Sequence, residues 1–254
     1  MGNNSSGFEN EQELLESLDG KEFSELNSNL RNFVLFINNH IPRKPISVIK
    51  IAGAEKCDLL INIDGREYST SIKKGSGNSV HQEHVNTFVR FLKANYSISD
   101  VLANDILFFI WGDGTFDGSG RKEERMDSRK IAKLHPCRVS RIREFFREHK
   151  ADLIKRFLLK GVSGNEINYI YYGDSREGLW ASSEEVLNLL CDDDFESTSE
   201  AAIPIGGLTF QAWNRAIGEN CTESTERKRG VIQVKWGKLE VHLHRIKSMR
   251  KNQR

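Results

Sequence analysis

Net charge is almost absent from this chain of 254 residues: Lys and Arg total 37 and Asp and Glu 36, for a formal charge of +1. So close a balance gives no overall pull on nucleic acid, and any basic surface has to come from local clustering. No apolar run approaches the length of a membrane span. The N-terminal stretch MGNNSSGFENEQELLESL lacks a basic segment followed by an apolar one, so no secretory signal is expected and the expected setting is the cytoplasm. Cysteine is sparse: Cys57, Cys137, Cys191 and Cys221 include no C-x-x-C pair, which argues against a zinc site or a disulfide framework and for reduced thiols. Internal repeats and low-complexity linkers are missing as well. What remains is 38% hydrophobic and 29% charged, the make-up of a globular protein long enough for one large domain or two small ones.

Periodicity divides the chain into alternating elements. Phe8, Glu11, Leu14, Leu15 and Leu18 follow a helical period. Leu26, Leu30, Phe33, Val34 and Ile37 mark the inward stripe of a second helix over about 24–39, which Pro42 and Pro45 end. ISVIKIAG, DLLINI and REYSTSIK read as strands, with Asp64-Gly65 as a tight hairpin turn between the last two. Asn78 or Ser79 can cap a helix running to about Ala94, with Gln82 and Glu83 in its first turn, and Ser99 starts another that ends near Trp111. A basic amphipathic helical region follows Pro136 and runs to Lys160. EINYIYY, LTFQAW, GVIQVKW and KLEVHLHRI read as strands, and Ser182 with Glu185 forms a capping box for a short helix. The expectation is an α/β (mixed α+β) protein with a central mixed sheet flanked by helices. It is taken as one domain over 1–254, with a core over about 8–111 and a C-terminal elaboration over about 136–254.

The hairpin permits an argument from register. If Asp64 and Gly65 form a two-residue loop, Ile63 opposes Arg66 and Asp58 falls opposite Ser71, with opposed Cβ atoms roughly 4.5–5.5 Å apart. Lys73 lies two residues further along and shares that face. Asp58, Ser71 and Lys73 therefore converge, while Leu59, Ile61, Ile63, Tyr68 and Ile72 form the packing face. Taken alone, such a polar face reads first as the solvent decoration of a half-exposed sheet. Two neighbours favour a site. Glu11 sits on the apolar stripe of the first helix, where a carboxylate needs a partner or a cation, although a stripe-edge acid can also snorkel. KKGSGNSVHQE pairs flexible glycines with an expected helix start, a cradle for an anion, although a plain strand-to-helix turn would use the same glycines.

At these residues the chain resembles the PD-(D/E)XK nuclease superfamily, and within it the type II restriction endonucleases. GFENE resembles the first-helix acid motif, on Glu11; CDLLI resembles the motif of the catalytic Asp, on Asp58; SIK resembles the (D/E)XK strand, on Lys73. The likeness covers residues 8 to 93 and is architectural beyond them. Two departures stand out: Cys57 occupies a place where the family often has Pro, and Ser71 a place where it usually has an acid. Some restriction enzymes carry S-x-K and draw the second acid from the next helix, a role that would fall to Glu83.

The resemblance implies hydrolysis of phosphodiester bonds in double-stranded DNA with Mg2+, or alternatively Mn2+. Asp58, Glu83 and Glu11 would serve as metal ligands and Lys73 as donor to the attacking water or to developing charge. Lys74, Ser76, Asn78, Ser79 and Gln82 around the glycine turn, and Arg121, Arg227, Lys228 and Arg229, are candidate DNA contacts. Gln211, Asn214 and Arg215 are further candidates for base readout. Restriction enzymes often dimerise to cut two strands, so a homodimer is compatible with this reading, though no interface signature stands out. The alternatives are a repair or homing nuclease of the same superfamily, and a non-catalytic nucleic-acid-binding module in which Ser71 marks a lost acid.

Other patterns carry less. DGTFDGSGRKEE places Asp113, Thr115, Asp117, Ser119 and Glu124 at EF-hand offsets, but has no second hand and a glycine at the customary apolar position. The basic helix after Pro136 reads as an ordinary amphipathic helix ahead of a membrane-surface segment. His242 and His244 alternate along an expected strand with no completing ligand, and His81 and His84 flank Glu83 without the H-E-x-x-H order.

Overall fold

The Asp64-Gly65 turn sets the first sheet. Both residues take positive φ, 52° and 86°, as a two-residue hairpin that matches strand twist requires. Ile63 pairs with Arg66 and Leu59 with Thr70, the register expected from the sequence. The computed structural model describes residues 5–53, 55–75, 79–162, 164–192 and 202–252. In chain order the helices are α1 (Ser5–Leu18), α2 (Ser28–Asn38), α3 (Val85–Tyr96), α4 (Asp100–Trp111), α5 (Ser128–Leu134), α6 (Pro136–Glu148), α7 (Lys150–Ile154), α8 (Ser183–Asp192), α9 (Glu223–Glu226) and α10 (Leu239–Asn252). The strands are β1 (Ser47–Lys50), β2 (Leu59–Ile63), β3 (Arg66–Lys73), β4 (Ser79–His84), β5 (Tyr169–Gly173), β6 (Gly178–Ser182), β7 (Ile203–Ile205), β8 (Leu208–Ala212) and β9 (Val231–Lys235). The fold is mixed α+β, with one mixed and one antiparallel sheet.

The chain divides into two compact units, each drawn from separate stretches, and both draw on 8–111 and on 136–254. The first holds residues 1–78, 155–190 and 237–254. Its sheet runs β1-β2-β3-β5-β6, antiparallel except for β3 beside β5. Leu14 and Leu18 of α1 and Leu30, Phe33, Val34 and Ile37 of α2 pack with Val48, Leu59, Ile61, Ile63 and Ile72 in one core. The caps are local: Ser182 and Glu185 exchange hydrogen bonds at the start of α8 as expected, and Asn27 accepts from Leu30 N–H, so that α2 starts at Ser28 and not near residue 24.

The second unit holds residues 79–154 and 191–236, with the antiparallel sheet β4-β9-β8-β7 and helices α3 to α7 and α9. Ser99 caps α4 as expected, and Gly112 ends it in the left-handed region. A Cβ at Gly112 would meet Arg215 Cδ at 2.7 Å and the Met126 carbonyl at 2.8 Å, so glycine is required on two grounds. Asp105 of α4, fully buried, is held by Arg138 and Arg141 of α6 at 2.5 and 2.6 Å.

Two expected elements change type. The helix expected from Asn78 or Ser79 begins only at Val85, where His84 Nδ1 caps it, and Ser79–His84 is the strand β4. There Gln82 opposes Gln233 and Glu83 opposes Ile232, a pairing with residues some 150 positions away that no local signal announces. KLEVHLHRI is the helix α10, not a strand. Its residues fit both periods, but burial of Leu239, His242, Leu243 and Ile246 beside an exposed Val241 is helical spacing.

Candidate active site

Asp58 stands immediately before β2, its backbone tied on both sides. Its N–H donates to the Thr70 carbonyl and its carbonyl accepts from Ile51 N–H, each at 3.0 Å. That clamp aims the side chain at β3. Asp58 Oδ2 accepts from Ser71 Oγ at 2.9 Å, from Ile72 N–H at 2.6 Å and from Lys73 Nζ at 3.3 Å. Lys73 Nζ also donates to Ser71 Oγ at 2.6 Å and to the Ile72 carbonyl at 3.0 Å. Lys73 thus uses all three ammonium donors, and the convergence derived from hairpin register is realised.

Burial separates the roles of the three. Ser71 is 2% exposed, whereas the side chains of Asp58 and Lys73 keep 21% and 24% of their surface. A hydroxyl that deep, bonded to both neighbours, positions them. Asp58 and Lys73 present the surface that an incoming molecule can reach. Every bond to the carboxylate falls on Oδ2, and among the described residues none is found to Oδ1. Beside it, burial raises the pKa of the Cys57 thiol, with Asp58 and Glu55 adding in the same direction against a backbone hydrogen bond from Thr70. Cys57 is thus kept as an uncharged thiol, donating to the Leu59 carbonyl at 3.3 Å.

The N-terminal half of α1 reaches the same end of this sheet. Asn10, 2% exposed, donates to the Gly173 carbonyl at 2.8 Å and accepts from Lys74 Nζ at 3.3 Å. The inward position of α1 is therefore Asn10, and Glu11 sits one residue round, paired with Lys50 Nζ at 3.0 Å. Lys50 opposes Leu59, whose side chain lies on the packed face, whereas Asp58 faces the other way. Glu11 answers its need for a partner through that lysine and is not among the bonded neighbours of Asp58.

Glu83 belongs to the second unit. On β4 its carboxylate lies 2.8 Å from His81 Nε2, both side chains nearly buried. It is a strand residue in a His–Glu pair and not an acid on a helical first turn. Among the described residues no group of three or more His, Cys, Asp or Glu side chains is arranged to hold a metal ion.

The candidate DNA contacts fare unevenly. Ser76 and Asn78 lie outside the described residues. Lys74 is exposed, near Asn10 and Asp174. Ser79 and Gln82 are exposed on β4 and bond each other at 3.1 Å. Arg121 pairs with Glu124 and Arg227 with Glu223, both at the surface. Lys228 lies over the Trp213 ring at 4.8 Å. Arg229 is a correction. Only 9% exposed, it bonds the fully buried Asp113 at 2.7 Å and stacks near Trp111, so it braces the 113–124 loop.

The same contact answers the calcium pattern. Burial opposes ionisation of Asp113, but hydrogen bonds from Thr115 and Arg229 outweigh it and hold the carboxyl below its usual range. Its oxygens are spent on Thr115 and on Arg229.

Two neighbours escaped sequence reasoning. Asp174 follows β5 and comes to within 3.9 Å of Lys74 because β5 runs parallel to β3. Hydrogen bonds from the N–H groups of Glu177 and Arg176 lower its pKa. Tyr172 opposes Lys73 across that pairing and donates to Glu240 at 3.3 Å. Only an advance knowledge of the β3–β5 pairing could have marked either. No protein-family model matches the sequence, and no curated protein matches it.

Proposed function

We propose that the chain is a Mg2+-dependent endonuclease acting on double-stranded DNA, of the type II restriction kind. One observation carries the reading: Asp58, Ser71 and Lys73 meet at one end of a mixed sheet, the carboxylate and the ammonium both reachable from solvent.

The donor set suits a sparse Mg2+ site. Mg2+ takes one or two carboxylates and completes its shell with water and substrate phosphate oxygens. Asp58 Oδ1, without a hydrogen bond among the described residues, is the oxygen that would hold it; Mn2+ suits the same hard donor. When bound, such an ion supplies charge neutralisation at the scissile phosphate. The protein's own contribution is electrostatic and positional. Ser71 and Ile72 N–H fix the Asp58 carboxylate in one rotamer. Ser71 and the Ile72 carbonyl fix the Lys73 ammonium, which donates to the attacking water or to the charge that develops on the phosphoryl oxygens. Ser71 itself stands in for an acid without replacing its charge, and Glu11 and Glu83 keep their present partners in this reading.

The setting is the cytoplasm, and a dimer would place two such sites for two strands. Among the described residues no helix is long and apolar enough to cross a membrane. Incubation of the purified chain with plasmid DNA and Mg2+ tests the reading: discrete fragments are expected, and EDTA abolishes them. A smear makes it a nonspecific nuclease. A second reading is a non-catalytic nucleic-acid-binding module in which Ser71, where the family usually has an acid, marks a lost one; binding without cleavage would decide for it.

A further inference from the structure

A concentration of positive charge in the second unit lies where neither the glycine turn nor Arg227–Arg229 would place it. Between Ser128 and Arg143 stand Arg129, Lys130, Lys133, Arg138, Arg141 and Arg143, without one acid, in a chain whose formal charge is +1. Arg138 and Arg141 both pair with buried Asp105 and share its single charge. Arg129, Lys130 and Lys133 of α5 are exposed and form no ion pair among the described residues. They line, with Asp127, an open cavity of about 520 Å3.

Beside it a second cavity of about 340 Å3 is lined by Asp127, Ser128, Arg129, Gln211, Ala212 and Arg215. Arg215 is fixed there. Its guanidinium donates to Ser128 Oγ at 2.9 Å and to the Phe109 carbonyl and lies 5.1 Å over the Phe109 ring. Its Nε is buried without a partner, and no carboxylate pairs with it among the described residues. Loss of water pushes its pKa down to about 10, against the opposing pull of Asp127. A cation held rigidly and left uncompensated is favoured by an arriving anion. The Asp127 carboxylate, the one acid among the described residues lining these two cavities, already accepts from Lys130 N–H as the cap of α5.

We infer that the α5 face of the second unit, Arg129, Lys130 and Lys133 with Arg215 at its inner wall, binds the phosphate backbone of double-stranded DNA. Three exposed cations along one short helix, beside a cavity whose wall holds a fourth, match a polyanionic strand in charge. The choice of DNA rests on the nuclease reading; the surface itself does not.

The test is fluorescence anisotropy with a labelled duplex across a salt series, using the full chain. For R129A/K130A/K133A an affinity loss of about tenfold or more is expected. The slope of log K against log salt should fall by roughly 2 to 3, since each phosphate contact contributes about 0.9. The charge-matched R43A/K44A/R66A, on exposed positions of the first unit, should bind as the unaltered chain does. In the unaltered chain, DNA should protect Lys130 and Lys133 from acetylation, read by mass spectrometry, a measurement that no folding defect can confound. Unchanged affinity and slope in the triple variant, or no protection, overturns the inference. If the unaltered chain still cuts plasmid in that case, the nuclease reading survives alone. Protection and lost affinity without any Mg2+-dependent cleavage leave the surface standing and remove the nuclease.

Discussion

At the scale of single residues, the reach of the site is set by who holds Lys73. Three acceptors within 3.3 Å fix the ammonium: Asp58, Ser71 and the Ile72 carbonyl. Removing it by Lys73→Ala should lower DNA cleavage by about 10²–10³-fold, the usual loss for one preorganised donor, with DNA affinity and thermal unfolding unchanged. Ser71→Ala should cost only about tenfold, one hydrogen bond of roughly 1.4 kcal/mol, because two acceptors remain. Single-turnover rates on plasmid separate the two. A Lys73→Ala protein that cuts at full rate takes that lysine out of the mechanism. These three residues were legible beforehand, since a two-residue turn fixes register and register fixes which side chains face one another.

At the scale of elements, the ion pairs decide how helices seat. The α4–α6 contact turns on Asp105, fully buried between Arg138 and Arg141, while those arginines keep 31% and 44% of their side-chain surface. Asp105→Ala should destabilise the protein by about 2–3 kcal/mol. That is less than for a fully buried pair, because both arginines can return to water. A denaturant midpoint equal to that of the unaltered protein would refute the assignment. None of this could be read from the α4 sequence, where Asp105 is one polar residue in a strongly apolar helix. Its partners lie 33 and 36 residues on, and helix-to-helix distance is not a local quantity. The same holds for Arg229, which looks like one more surface cation until Asp113 is found beside it.

At the scale of the whole molecule, the first unit is closed by its last segment. Helix α10 packs on β6. Its Arg250 donates to Glu185 at 2.5 Å and to the Trp180 carbonyl at 2.7 Å and lies 4.1 Å over the Phe36 ring. A chain ending at Trp236 should therefore lose more than a basic tail. With Trp180, Glu185 and Phe36 uncovered, limited proteolysis should reveal new cuts within residues 155–190 and near α2. An unaltered digestion pattern would show that α10 adds nothing to that unit.

Sequence alone determined what short-range forces settle: the Asp64-Gly65 turn, the caps at Ser99 and Ser182, the stripe of α2, and with them the meeting of Asp58, Ser71 and Lys73. Tertiary structure decided every feature that needs a distant partner. SVHQEH is a strand because β9 offers it a ladder, KLEVHLHRI is a helix whose 239/242/243/246 face is buried in the folded chain, and Asp174 nears Lys74 because β5 joins β3 in parallel. Backbone hydrogen bonding and capping cost little entropy when the partners are neighbours in sequence and are written in adjacent residues. Pairings across 100 residues or so are chosen by the collapse of the whole chain, and an apolar pattern that fits two periods leaves that choice open.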